Sequence, residues 1–246
     1  MLPPAPGNDV DPPAGAAAIV HGRRLMRTLW TVMAVLLCLG AIREAIVQIT
    51  GGGTELTRLA FLDLDGEVSF PTWFSSFVML LCAALLWLIS QSPGPSQDPR
   101  DRHRWRLLSG IFVYLSVDET VSVHEAIGNI MAGLSGSSSF GDARWILVFV
   151  PLAIALCAYL VPFLRRLPRR SALQMMVAGA VFVAGAAGIE ALNAAFRTSD
   201  TSVAQAVFVV LEEAGEFTGL LLFAAALLNH LSDNCQQVVV QVKARE

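Results

Sequence analysis

The chain has 246 residues, 54% of them hydrophobic and only 15% charged, with a mean hydropathy of +0.59. That balance excludes an ordinary soluble domain and predicts an all-α integral membrane protein with one membrane domain, the lipid bilayer as its main partner and no nucleic-acid partner. The formal net charge of −3 excludes little, because acids and bases are segregated along the chain, and oligomeric state is left open.

Residues 1–22 are rich in Pro, Ala and Gly and lack the basic region of a secretory signal, so they are expected to form a disordered tail ahead of a membrane domain at 23–232. The first apolar run, about Leu25 to Ile49, follows Arg23, Arg24 and Arg27 and is long enough to cross a hydrocarbon core of ~30 Å. It carries Arg43 and Glu44 in its far third. Gly51, Gly52 and Gly53 then break the pattern, and a segment through Asp63, Asp65 and Glu67 is expected to lie at the membrane surface. Its Asp63-Leu-Asp65-Gly66 fragment lacks the rest of a calcium loop and is taken as an acidic turn. The second span runs from about Trp73 to Ser90, with Trp73 and Trp87 placed as interfacial anchors.

A linker with Arg100, Arg102, Arg104 and Arg106 leads into the third span, about Trp105 to Met131. Within it, Ser116-Val-Asp118-Glu119-Thr-Val-Ser122-Val-His124-Glu125 sets three carboxylates and a histidine in one stretch. An ionised side chain at the bilayer centre costs roughly 2.5–3.5 kcal/mol on insertion scales, so these groups must face a partner, a cavity or an ion rather than lipid. At about 100° per residue, Asp118, Ser122, Glu125 and Asn129 form one stripe, with Glu119 and His124 flanking it on opposite sides. The fourth span, about Ala143 to Leu164, is apolar apart from its ends. The fifth, about Ala172 to Phe196, is rich in Gly and Ala and carries Glu190 and Asn193. The sixth, about Val203 to Leu231, contains Glu212, Glu213 and Glu216 within an arc of about 100°. Residues 233–246 form a C-terminal tail. Cys38, Cys82 and Cys157 sit in separate apolar runs and Cys235 in the tail, with no ligand spacing, which makes them packing residues.

Thirteen of the 17 Lys and Arg residues lie before span one, between spans two and three, between spans four and five, or in the C-terminal tail. The positive-inside rule therefore predicts a six-transmembrane-helix bundle with both termini cytoplasmic. Span six then puts Glu212, Glu213 and Glu216 about 14–20 Å below the outer surface, and Glu44, the acids of span three and Glu190 share the middle-to-outer half. A buried carboxylate-rich polar core follows from that common depth. The sequence-based expectation is that Asp118 lies near Glu216 and Glu125 nearer Glu212 or Glu190, while Glu119 or His124 turns toward the helix of Glu190.

Eight acids face Arg43 and at most one charge on His124, so protons, water or cations must neutralise the excess. A carboxylate-rich donor set suits a hard or borderline divalent ion such as Mn, Mg, Ca or Fe, with Asp118, Glu119, His124, Glu125, Glu190, Glu212, Glu213 and Glu216 as candidate ligands. Arg43, Glu44, Ser122, Asn129 and Asn193 are candidate supporting residues. A three-histidine zinc site is excluded, because His21, His103 and His230 lie toward the other side, and the paired Glu-x-x-His pattern of di-iron bundles is absent. The Ser-Val-Asp-Glu-x-x-Ser-x-His-Glu helix and the acidic final span Leu211-Glu-Glu-Ala-Gly-Glu216 resemble a pattern in uncharacterised bacterial multi-span membrane proteins, which implies a shared polar core and no particular activity. Neither a Walker loop nor a Gly-x-Ser-x-Gly elbow nor an Asp-rich prenyltransferase motif occurs. Two function classes remain: a metal-dependent membrane enzyme acting on a lipid-like substrate, and a proton- or cation-coupled small transporter using the same acids.

Overall fold

The computed structural model describes residues 21–50, 59–92, 99–135, 145–196 and 203–235, and among them it is all-helical. Helix α1 spans Gly22–Thr50, α2 Phe70–Gln91, α3 Pro99–Val121, α4 Val123–Ser135, α5 Ile146–Leu164, α6 Arg169–Val183, α7 Glu190–Phe196 and α8 Val203–Asn234. A π-helical turn, Ala184–Ile189, joins α6 to α7 without a break, and a 3₁₀ turn, Ala60–Leu62, follows α1. Four helical stretches are long and apolar enough to cross a membrane: α1, α2, α5 and the continuous run Arg169–Asn193. Helices α3, at 23 residues, and α8, at 32 residues, have the length, but their acids interrupt the apolar pattern.

Local chemistry sets the ends of these helices. The Ser69 hydroxyl caps α2 by accepting from the Thr72 amide at 3.2 Å, with Pro71 in the first turn, where its missing N–H costs nothing. Asp101 occupies the first turn of α3, where a carboxylate favours the helix dipole. The expected third span proves to be two helices. Ser122 is the only described non-glycine residue with positive φ, 52°, and it separates α3 from α4. The cause is Asp118, whose Oδ1 takes the His124 amide at 2.9 Å, so that amide no longer follows the helical ladder.

Helices α2 and α3 pack as an antiparallel pair through small polar residues. Ser76 Oγ meets Ser116 Oγ at 2.7 Å and Ser109 Oγ donates to the Ala83 carbonyl at 2.8 Å. Helix α6 lies along α8 at backbone contact: a Cβ on Gly215 would sit 2.8 Å from Gly185 Cα, and one on Gly185 would sit 2.7 Å from the Glu216 amide nitrogen. Helix α1 runs beside α8, and α5 touches the bundle mainly through α3. The apolar core lies among α2, α3 and α8, around Met79, Leu86, Ile89, Phe217, Leu221 and Leu227. Outward-facing apolar side chains such as Val35, Leu80, Val117, Ile154, Met176 and Val207 are exposed, as a hydrocarbon environment requires.

One end of the bundle is basic and tightly tied. Arg166, in the α5–α6 turn, donates from both Nε, at 3.0 Å, and Nη2 to the Asp101 carboxylate, and Arg104 joins the same carboxylate at 3.0 Å. The hydrogen bonds from Arg166, with Arg104 assisting, hold the Asp101 carboxyl below the usual carboxylate range. Trp105 fills the space behind, edge-on to Phe163 at 4.8 Å and 5.2 Å from the His230 ring, while His230 Nδ1 is 3.0 Å from Ser171 Oγ. The candidate functional residues gather toward the opposite end.

Candidate site: a carboxylate cluster between broken helices

At the far end of α1, Arg43 and Glu44 are buried and paired with each other, and Arg43 Nη2 also reaches Asp63 Oδ2 at 2.7 Å. This folds the acidic segment back onto α1, and Thr72 Oγ1 secures it by donating to the Gly66 carbonyl at 2.8 Å. Arg43 is thus committed to Glu44 and Asp63, and its charge is spent away from the acids of α3 and α8. Glu44 is a structural partner of Arg43.

Asp118 and Glu119 point to different neighbours. Asp118 holds the start of α4 through the His124 amide, and its Oδ2 meets His124 Nδ1 at 3.0 Å. Glu119 turns to α2 and accepts a hydrogen bond from the buried Ser75 hydroxyl. From there Glu119 is an electrostatic neighbour of Glu213 and Glu216 on α8, and of His124. The expected facing of Asp118 toward Glu216 is therefore corrected: Glu119 takes that place, because Asp118 is used up in capping α4. Ser122 is the hinge of the helix break, Asn129 is exposed, and Asn193 is partly buried on α7. The side chain of Glu125 falls outside the described residues.

On α8 the three acids face away from α1. Ala206, Val207 and Val210 line the apolar cleft toward α1, whereas Phe217 meets Phe74 of α2 edge-on at 5.8 Å and Gly215 meets the π turn. Glu212, Glu213 and Glu216 occupy the arc between those contacts and are partly buried. Glu216 has Glu119, Glu212 and Glu190 as electrostatic neighbours, and Asp65 of the folded-back segment completes the group. Glu190 stands at the junction of the π turn and α7, where its Oε2 accepts the Trp145 indole N–H at 2.8 Å. Trp145 in turn lies edge-on to His124, with ring centroids 5.3 Å apart. His124 is thereby oriented toward the Glu190 side through an intervening indole.

Three participants escaped the sequence reading. Ser75 lay hidden in an apolar run, and Trp145 stood at a span end, where tryptophan is expected for interfacial reasons alone. The third, Gly215-x-x-x-Gly219, has the small-residue spacing that permits close helix approach, and it is the signal by which the α6–α8 contact was readable.

The expected metal centre includes Glu125, whose side chain lies outside the described residues. Among the described residues no group of three or more His, Cys, Asp or Glu side chains is arranged to hold one ion. Asp118 and His124 direct donor atoms at each other, and the α8 acids fan over an arc that faces two different neighbours.

An all-helical chain with four helical stretches long and apolar enough to cross a membrane is the class of protein defined by this architecture. Over residues 29–231 the chain matches the family model described as domain of unknown function DUF8692, and it belongs to that family. No curated protein and no solved structure matches the chain.

Proposed function

We propose that this protein is a six-span inner-membrane protein, with both termini cytoplasmic, that loads and releases protons at its buried carboxylates and couples their movement to that of a cation across the bilayer. The observation that carries this reading is that Glu119 on α3 is an electrostatic neighbour of Glu213 and Glu216 on α8, and Glu190 at the π turn of Glu212 and Glu216. Among the described residues Arg43 is paired with Glu44 and Asp63, and His124 is the neighbour of Glu119 that can carry a positive charge. In a low-dielectric setting a carboxylate without a positive partner takes up a proton, which makes such a group a candidate for proton loading.

Two further features support exchange over a fixed structural network. Spanning helices interrupted beside charged groups are a recurrent feature of transporter sites, and here both the Ser122 break and the π turn border the cluster. Two of the hydrogen bonds that orient the acids come from neutral groups, Ser75 to Glu119 and Trp145 to Glu190, and neither donor brings a charge.

Proteoliposomes containing the full chain and a pH-sensitive dye test the proposal. After an imposed pH gradient, addition of Na⁺, K⁺ or Ca²⁺ is expected to dissipate the gradient in wild type with at least one of the three, and Glu216→Gln is expected to slow this at least ten-fold. Wild-type vesicles that respond to none of these cations, and that pass no protons under a potassium diffusion potential, would sink the proposal.

A further inference from the structure

We infer that the outward face of α1 is a binding site for one anionic phospholipid, its phosphate on Arg27 and an acyl chain in the apolar groove beyond. Helix α1 has two unlike faces. Leu29, Met33, Gly40, Arg43 and Glu44 are buried against the bundle. About half a turn of helix rotation away, Arg27, Trp30, Thr31, Ala34, Cys38 and Leu39 line a surface groove. Thr31, Ala34 and Cys38 are the small residues of its lining, and Trp30, Val35 and Leu39 the large apolar ones.

The headgroup end is where charge enters. Arg23 and Arg24 precede Arg27 by four and three residues, so all three guanidinium groups fall on the same side of the helix as the groove. All three residues are exposed, and no described acidic side chain pairs with any of them. A phosphate-bearing lipid supplies the missing counter-charge, and each basic residue near an anionic bilayer surface favours such a lipid. The groove from Trp30 to Leu39 rises about 14 Å, close to half of a ~30 Å hydrocarbon core, which is the depth of one leaflet.

Competing occupants fit worse. A zwitterionic lipid brings no net charge to three arginines. A second copy docking this face by a two-fold axis along the membrane normal would set Arg27 opposite Arg27, and like charges placed face to face disfavour that pairing.

The test uses Trp30 as the reporter. Full-length wild type and Trp30→Phe are reconstituted in vesicles carrying phosphatidylglycerol or phosphatidylcholine with brominated acyl chains, and the difference in quenching isolates Trp30. Quenching by brominated phosphatidylglycerol is expected to exceed that by brominated phosphatidylcholine several-fold at equal mole fraction. Arg27→Gln is expected to reduce the preference about five-fold, the effect of one basic residue beside an anionic lipid, and Arg23→Gln/Arg24→Gln/Arg27→Gln to bring it to parity. Equal quenching by both lipids in wild type overturns the inference, as does a preference that survives the triple substitution. Protection of Trp30 from both lipids also overturns it, since the N-terminal tail or a second copy would then occupy the groove.

Discussion

Glu119 differs from Asp118 by one position and about 100° of helix rotation, and that offset decides which of them reaches α8. Asp118 bonds to the start of α4, whereas Glu119 is steered by Ser75 toward Glu213 and Glu216. Glu119→Gln and Glu216→Gln are each expected to slow cation–proton exchange at least ten-fold. The double substitution should fall no further than the worse single one, because residues acting as a unit are not additive; additive losses in the vesicle assay would show that they act separately. Trp145→Phe retains a ring beside His124 but removes the N–H that holds Glu190. Its expected cost is about 1 kcal/mol of stability, together with a shifted pH profile of exchange, read by thermal unfolding and by the dye assay. At Ser122 the left-handed backbone disfavours bulk: Ser122→Val should destabilise by roughly 1–2 kcal/mol, while Ser122→Gly should be neutral or stabilising.

The α6–α8 contact is the element on which the cluster depends, because it presses the π turn and Glu190 against Glu212 and Glu216. Gly185→Ala would drive a Cβ to 2.7 Å from the Glu216 amide nitrogen, so the helices must part, at an expected cost of about 1–3 kcal/mol. Gly179 and Gly188 lie in the same run with open space around their Cβ positions. Gly179→Ala should therefore gain up to about 1 kcal/mol from helix propensity. Thermal unfolding in detergent separates the two cases, and equal effects at Gly179 and Gly185 would contradict the backbone contact.

Across the whole molecule, both ends carry ion pairs, Asp101 with Arg166 and Arg104 at one and Arg43 with Glu44 and Asp63 at the other. Because the fold lowers the Asp101 pKa, stability from its pairing with Arg166 and Arg104 is present above the unfolded value of about 3.9 and is lost as pH falls through the lower folded value. Asp101→Asn should thus lower the melting temperature at pH 7, by the equivalent of about 1 kcal/mol, and have no effect once acid has protonated the wild-type carboxyl. The proposed topology has its own check. Cysteines introduced near Gly136 and Thr201 should label from outside, and those near Ser96 and Arg166 only after permeabilisation; the reverse pattern would invert the orientation of the cluster.

The helical class and the improbability of the acids were legible in the sequence, because hydropathy and the cost of intramembrane charge are properties of each segment alone. The approximate limits of the apolar helices followed for the same reason, and the basic loops carried the predicted orientation. Which acids meet was not legible. That depends on small rotations and on local competition for backbone groups: Asp118 bonding the His124 amide breaks the third span, and Gly215 against Gly185 sets the angle at which α8 presents its acids. Arg43 illustrates the same limit, since its sequence neighbourhood allowed any buried acid as partner and only the folded-back segment brought Asp63 to it. Residue type and period act along one chain segment, whereas partnership is a distance between segments, and packing alone decided it.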